Sequence, residues 1–166
     1  MKRYFLVCLL FVLFAASGVF AQEDRAPNTV LGGINIGFLT FGADVEFERT
    51  FPGLLPMGTL AASIEAGYTT VLIFPIFNAD VRARWYPWSN MFYADIGFGY
   101  GSLFYGFGTA SAFIISPGVG WRIDIGQPNA WVFVPSIQFN YFAGSKSNDD
   151  FGGTLIKLNA RIGYSF

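Results

Sequence analysis

The sequence contains no histidine, and this absence removes a large part of enzyme chemistry. Histidine titrates near neutral pH and therefore serves as the base in most Ser–His and Cys–His catalytic pairs. It is also a common metal ligand, and the acidic residues here are scattered along the chain with a single cysteine and no histidine beside them. The sequence therefore predicts no catalytic site, no metal centre and no cofactor.

Cysteine and charge are scarce as well. The one cysteine, Cys8, lies in an apolar run near the N-terminus, charged residues make up 13% of the chain, and the formal net charge is −1. The rest of the chain therefore has no disulfide framework. Because no basic excess is present, the electrostatic footprint of a nucleic-acid binder is also missing, and we expect no nucleic-acid partner.

Residues 1–21 have the pattern of a signal peptide. Lys2 and Arg3 form a positive segment, an apolar run follows, and Ala21 precedes the polar sequence QEDR. The alternative is an uncleaved anchor, because the apolar run from Tyr4 to Ala21 is near the lower limit for a bilayer-spanning helix. The cleavage-site pattern favours export, which leaves residues 22–166 as one domain with eight basic and eleven acidic side chains.

The chain is rich in aromatic residues, at 19%, and in glycine, at 20 residues, a combination that favours strands and tight turns over helices. From residue 29 onward, apolar and polar residues alternate in eight segments separated by Gly, Pro, Asn and Asp. NADVRARWY at 78–86 and LIKLNARIGYSF at 155–166 are the clearest. About 18 residues per segment leave roughly 10 or 11 for each strand, the length that crosses a bilayer in a tilted barrel.

Three prolines fit this pattern poorly. Pro75, Pro117 and Pro135 fall within or at the start of predicted strands, where proline cannot donate a ladder hydrogen bond. At Ser116-Pro117-Gly118 we expect either a bulge or bend, or a sixth segment divided in two.

Alternation does not by itself reveal which face lies inside. A soluble lipocalin-like barrel buries its apolar face, whereas an outer-membrane barrel turns that face to lipid and fills its lumen with polar side chains. Large aromatic residues near strand ends favour the membrane barrel, and we assign Trp85, Trp131 and Tyr141 to an interfacial girdle. Gly, Ser and Ala on the opposite face fit beside long side chains in a narrow lumen.

The last strand carries a resemblance to a known family. Aromatic or aliphatic residues occupy alternate positions up to a terminal phenylalanine: Leu158, Ala160, Ile162, Tyr164 and Phe166. This ending resembles the C-terminal assembly signal of bacterial outer-membrane β-barrels, and the whole chain resembles the small barrels of the OmpA transmembrane domain and OmpX class. The resemblance implies an all-β fold, an eight-stranded antiparallel up-and-down transmembrane β-barrel, in the outer membrane of a diderm bacterium. It also implies recognition by the barrel-assembly machinery.

Outer loops are the usual functional surface of such barrels. We expect outer connections near 69–75 and 103–110, within the apolar sequences TTVLIFP and SLFYGFGTAS. These segments are candidates for gripping a hydrophobic ligand or lipid, or they simply continue the strands. The expected partners are therefore outer-membrane lipid and such a ligand, and we expect a monomer.

The inward polar face is predicted to hold a network of charges in the lumen. Its members are Asp44, Glu46, Glu48, Glu65, Asp80, Arg82, Arg84, Asp95, Arg122, Asp124, Lys157 and Arg161. With seven acids and five bases in a space just wide enough for side chains, a plug of ion pairs is favoured over an ion path or proton relay.

The sequence thus predicts a non-enzymatic outer-membrane β-barrel with a structural or surface-interaction role. Two alternatives stay open. A narrow pore or conduit for small hydrophobic solutes requires an open lumen or a lateral gap. A soluble periplasmic lipocalin-like binder requires Arg82, Arg84 and Arg161 in solvent and Trp131 and Phe139 in the core.

Overall fold

The computed structural model describes residues 26–55, 57–87, 91–106, 108–126, 130–144 and 152–166. The predicted signal peptide, residues 1–21, lies outside the described residues. The strands are β1 (Asn28–Gly37), β2 (Thr40–Phe51), β3 (Thr59–Val71), β4 (Phe74–Tyr86), β5 (Phe92–Tyr105), β6 (Gly108–Trp121), β7 (Ile123–Ile125), β8 (Trp131–Ala143) and β9 (Gly153–Ser165). Within the ranges above, no helix is long and apolar enough to cross a membrane.

The strands form one closed antiparallel barrel. Neighbours in sequence pair from β1 to β6, β8 pairs with both β6 and β9, and β9 returns to β1. β7 continues β6 along the same edge of β8, because Gly120↔Ser136 and Ile123↔Phe133 belong to one register. The barrel therefore has eight strands, as predicted. Apart from the three-residue β7, the strands are between 10 residues long in β1 and 14 residues long in β5 and β6, so the predicted length of 10 or 11 is too short for most of them.

The first and last strands close the barrel. The Phe166 N–H donates to the Asn28 carbonyl at 2.9 Å, and the Asn28 N–H donates to the Phe166 carbonyl at 3.1 Å. The end of the barrel that contains these two residues is called the inner end below, and the opposite end is called the outer end. Closure gives β1 to β6, β8 and β9 two partners each, which a membrane barrel needs because hydrocarbon offers no hydrogen bonds.

The pairing registers fix the stagger of the barrel. Ile36 pairs directly with Phe41 of β2. If the pairing is instead followed around the barrel in the other direction, through β9, β8, β6, β5, β4 and β3, the partners that start at Ile36 end at Phe51 of β2. Phe51 is ten residues beyond Phe41, so the strands are staggered by ten residues around the barrel. Strands in such barrels tilt by roughly 35–45°, and an eight-stranded interior is just wide enough for side chains.

Two prolines interrupt the pairing between β6 and β8 without shifting its register. Residues 113–115 pair with 141–143, 118–120 pair with 136–138, and 123–125 of β7 pair with 131–133. One gap contains Pro117 and the other contains Pro135. The predicted bulge at Pro117 is wrong, because the register is the same on both sides of it. The predicted division of the sixth segment is correct, but it falls at Arg122.

The outer connections are shorter than predicted. β3 ends at Val71 and β4 begins at Phe74, so the expected connection at 69–75 is a two-residue turn. Likewise, β5 extends to Tyr105 and β6 begins at Gly108. Most residues of the two apolar segments therefore belong to strands.

Candidate functional site: the lumen

The two faces of the barrel wall have opposite composition. Trp131 is 56% exposed and Phe139 is 43% exposed, whereas Arg82, Arg84 and Arg161 are 3%, 1% and 0% exposed. A soluble lipocalin-like binder requires the reverse arrangement, so the burial of these five residues excludes that alternative.

Aromatic side chains lie on the outward face in two rings. Trp85 and Trp131 are near the inner end, where Trp131 packs edge-on against Tyr164 with ring centroids 6.0 Å apart. Tyr141 lies near the outer end of the same strand as Trp131, ten residues away. At about 3.3 Å per residue and a tilt near 40°, this separation is about 25 Å along the barrel axis, the height of the apolar band of a membrane barrel. Further outer-ring aromatics that the sequence interpretation did not assign are Tyr68, Phe77, Tyr100 and Phe113.

Arg84 occupies the inner half of the lumen. Its Nη2 lies 2.8 Å from Glu46 Oε1 and 3.1 Å from Asp95 Oδ2, and its Nη1 donates to Glu48. The guanidinium carbon also lies 4.1 Å from the ring centroid of Tyr93. Arg84 therefore meets three carboxylates and an aromatic face, which together compensate for its removal from water.

Arg82 comes two residues earlier on the same strand and faces the same side. Its Nη2 donates to Asp95 Oδ1 at 2.8 Å and to the Ser116 carbonyl at 2.9 Å. Its Nη1 lies 3.4 Å from Asp80 and 3.6 Å from Glu65. Asp95 thus links the two arginines of β4 to β5.

Arg161 joins the last strand to β2 and β3. Its Nη1 lies 2.8 Å from Glu46 Oε2, its Nη2 lies 2.9 Å from Glu65 Oε2, and its Nε donates to Asp44. The amide of Asn35 donates to the other oxygen of Asp44 at 3.2 Å. Because the two oxygens of Glu46 bind Arg84 and Arg161 respectively, the ion pairs run across the lumen from one wall to another.

Arg122 lies between β6 and β7 at the inner end. It donates to Glu48 at 2.9 Å, to Thr29 at 3.0 Å and to Ser165 at 2.6 Å, and its Nε donates to Asp124 at 2.9 Å. The Asp124 side chain is 28% exposed, so this residue lies at the rim and not inside the lumen as expected. The physical reason is that the three residues of β7 extend past the packed interior and are exposed.

Glycine provides room for the arginines at two positions. A Cβ on Gly97 would lie 2.8 Å from Nη1 of Arg82, and a Cβ on Gly33 would lie 2.6 Å from Cγ of Arg161. Each glycine is the direct cross-strand partner of its arginine, so the arginine side chain lies over a position of the neighbouring strand that carries no side chain.

Lys157 differs from the four arginines. It is 2% exposed, yet within the described part of the chain no carboxylate lies within 4.0 Å of its amine. The amides of Gln138, Asn140 and Asn159 lie near it on β8 and β9, and the carboxylates of Glu65, Asp44 and Asp80 act on its amine from farther away. The charged network is therefore concentrated in the inner and middle lumen.

Buried apolar clusters lie toward both ends of the lumen. The outer cluster contains Ile76, Ala112, Ile114 and Phe142, with Val71, Leu103 and Leu155 packed against it. The inner cluster contains Leu31, Ala61, Tyr86, Tyr93, Val132 and Val134.

Two of these inner residues, Tyr86 and Tyr93, belong to the charged site and were not assigned to it from the sequence. The Tyr86 hydroxyl donates to Glu48 at 2.8 Å, and the two tyrosine rings lie 5.4 Å apart. The sequence does contain a signal that places Tyr93 in the lumen. Tyr93 is two residues from Asp95, and residues two apart on a strand face the same side.

The site is chemically a set of mutually neutralised charges. Each arginine described above meets at least one carboxylate, and a chain of shared acids connects all four. In the same described ranges, no group of three or more Asp, Glu, His or Cys side chains is arranged to hold a metal ion.

Comparison with known proteins supports the architecture. No family model matches the sequence, and no curated protein matches it. The structure is similar to that of the Yersinia pestis outer membrane protein Ail in a phospholipid bilayer nanodisc, with a TM-score of 0.50 and 14% sequence identity over 86% of this chain and 100% of that chain. At this identity the likeness establishes the fold. The chain therefore has the fold of the small outer-membrane barrels, a closed antiparallel barrel of eight strands.

Proposed function

We propose that this chain is a non-enzymatic outer-membrane β-barrel with a structural or surface-interaction role, and that its charged network plugs the lumen. The observation that carries the proposal is the continuous set of buried ion pairs that crosses the interior through Glu46. A pore for ions or solutes needs water along its axis, whereas these guanidinium and carboxylate groups occupy that space and neutralise one another.

The apolar clusters support a closed lumen in a second way. An axial path would have to pass the outer cluster around Ile114 and Phe142 as well as the arginines beneath it. A pore along the barrel axis is therefore disfavoured at two independent levels of the barrel, the outer apolar cluster and the arginine network.

The outward face supports location in the outer membrane, where lipid is the principal partner. Among the outward-facing positions of the described strands, only Arg49 is charged. The apolar band between Trp131 and Tyr141 has the height that a bilayer requires. Assembly through the barrel-assembly machinery, export by residues 1–21 and a monomeric state belong to the same proposal.

Surface interaction would take place at the outer hairpins. Phe38 is 87% exposed and Ile73 is 82% exposed at the tips of the β1–β2 and β3–β4 turns. Apolar residues at such positions suit contact with outer-leaflet lipid or with a hydrophobic ligand.

Two measurements test the proposal. Expressed with residues 1–21 included, the protein should fractionate with the outer membrane and migrate differently on gels before and after heating. Purified and reconstituted in planar bilayers, it should give no conductance. A soluble protein without heat-modifiable mobility would contradict the location, and steady conductance by the unaltered protein would contradict the plugged lumen.

A further inference from the structure

The outer turns between β1 and β2 and between β3 and β4 are unusual in sequence. Each has two residues, Phe38 and Leu39 in the first turn and Leu72 and Ile73 in the second. Two-residue hairpin turns usually contain Asn, Asp or Gly, because at least one of the two residues must adopt a positive φ. Here all four residues are large and apolar, and Leu39 and Leu72 each have a φ of 57°, a conformation that leucine rarely adopts. Local backbone preference therefore does not explain these two sequences.

The two turns form one continuous surface. The Leu72 N–H donates to the Leu39 carbonyl at 3.0 Å, which holds the second turn against the first. The exposed residues of both turns are called the apolar tips below: Phe38, Leu39, Leu72 and Ile73. Directly beneath them, Ile36 pairs with Phe41, and both side chains are exposed on the outward face. The apolar tips therefore continue the apolar band of the outward face without a break.

The stagger of the barrel gives the height of the first turn. Register partners lie perpendicular to the strands, so a path of partners from β1 through β9 and β8 moves toward the inner end. The ten-residue stagger is shared among eight strands, which amounts to about 1.25 residues per strand. Gly37 is joined through Lys157 to Gln138, two strands away. Gly37 is therefore about 2.5 residues higher than Gln138, and the first turn begins at the level of Tyr141 in the outer aromatic ring.

The opposite side of the rim is taller. The same rule places Tyr100 of β5 and Phe113 of β6 at the level of Tyr141, as their membership of the outer ring requires. Strand β5 continues to Tyr105, which lies about 11 Å above the ring at about 2.5 Å of height per residue. The β3–β4 turn is intermediate, about 5–8 Å above the ring, which is the thickness of one headgroup region. The rim therefore rises from the β1–β2 turn to the β5–β6 hairpin.

The composition of the low side of the rim fits lipid better than water. No charged residue occurs in 36–41 or in 69–77, whereas the sequence between β8 and β9 contains Lys146, Asp149 and Asp150. The chain thus uses charged residues in one outer connection and excludes them from these two turns. Large apolar side chains are unfavourable in water, and at the height of an interfacial aromatic ring they meet lipid instead.

The height, the composition and the continuity with the apolar band point to one partner. We propose that the apolar tips are a membrane anchor: they insert among the lipids of the outer leaflet, the first turn at the base of the headgroups and the second turn between them. The β5–β6 hairpin projects beyond the headgroups on the other side. This inference rests on the proposed outer-membrane location, and it names lipid as the partner of the first two outer turns in place of a dissolved ligand.

Tryptophan depth measurements test the anchor. In the full chain with its four tryptophans replaced by phenylalanine, a single tryptophan is introduced as Phe38→Trp, Tyr105→Trp or Tyr141→Trp, and all three original side chains are exposed. The Tyr141→Trp variant marks the outer ring, and Tyr105→Trp is the matched control on the taller hairpin. Each variant is refolded in liposomes of phosphatidylcholine brominated near the headgroup, and heat-modifiable mobility confirms that it has folded. Acrylamide in the buffer reports contact with water.

We expect the brominated lipid to quench Phe38→Trp as strongly as Tyr141→Trp and about threefold more strongly than Tyr105→Trp, with acrylamide giving the reverse order. Equal quenching of Phe38→Trp and Tyr105→Trp by acrylamide would overturn the anchor, because the apolar tips would then lie in water. Protection of Phe38→Trp from both quenchers would overturn it as well, because a second copy of the chain or a bound ligand would then cover the tips. A Tyr141→Trp variant that the lipid does not quench would contradict the membrane location itself, so the two failures are distinguishable.

Discussion

Loss of Arg84 should weaken the barrel more than loss of any charge on its outer surface. Replacement by methionine keeps a long apolar side chain but removes the guanidinium from among three buried carboxylates. The damage is limited because each acid keeps another arginine: Glu46 keeps Arg161, Glu48 keeps Arg122 and Asp95 keeps Arg82.

The expected magnitude follows from this arrangement. Removing one partner of a buried ion pair typically costs about 3–5 kcal/mol, because the other charge is left uncompensated. Because each acid keeps a second arginine, we expect a loss of unfolding free energy at the lower end of this range, about 3 kcal/mol. This figure includes the lost contact between Arg84 and the Tyr93 ring. The matched control is Arg49→Met on β2, where the side chain is exposed on the outward face and the change should stay within about 0.5 kcal/mol.

Urea unfolding in liposomes, followed by tryptophan fluorescence, measures both variants against the unaltered protein. The double variant Arg84→Met with Glu48→Gln should lose less stability than the two single changes together, because the two side chains share one ion pair. A loss below about 1 kcal/mol for Arg84→Met would refute the idea that the lumen charges act as a mutually dependent network.

Three further outcomes are expected. Deletion of Phe166 should lower the amount of protein assembled in the outer membrane more than it lowers the stability of protein refolded in vitro; normal membrane levels would contradict an assembly role. Gly33→Ala should destabilise the barrel by about 1–3 kcal/mol, because its Cβ would clash with the Ala160 carbonyl oxygen. Gly32→Ala next to it meets nothing closer than 4.0 Å and should be nearly neutral in urea unfolding. In a variant whose other three tryptophans are replaced by phenylalanine, Trp131 fluorescence should be quenched by lipids brominated near the headgroup more than by lipids brominated at the chain end, and the opposite order would place Trp131 away from the interface.

The faces of the strands could be predicted because alternation is a local property. Once one residue of a strand is known to face inward, every second residue follows, and the buried positions of Arg82, Arg84 and Arg161 obey this rule. The assumption that apolar and aromatic residues face outward was less reliable. Tyr93 is fully buried beside Arg84 although it is aromatic, because the inner lumen needs bulk as well as charge, and only its parity with Asp95 indicates this position.

The consequences of the prolines could not be predicted from the strands that contain them. Pro117 lies in β6 and Pro135 in β8, and nothing in either segment indicates that both interruptions fall on one seam. That relation arises from the register of β6 against β8, which is fixed only when the barrel closes. The hydrogen bond from Arg82 to the Ser116 carbonyl joins residues 34 apart in sequence and is equally absent from the local pattern. In a closed barrel, the effect of a missing N–H therefore depends on which neighbour the proline faces. Because both prolines remove a hydrogen bond from one pair of strands, β6 and β8 should separate at lower cost than any continuously paired strands.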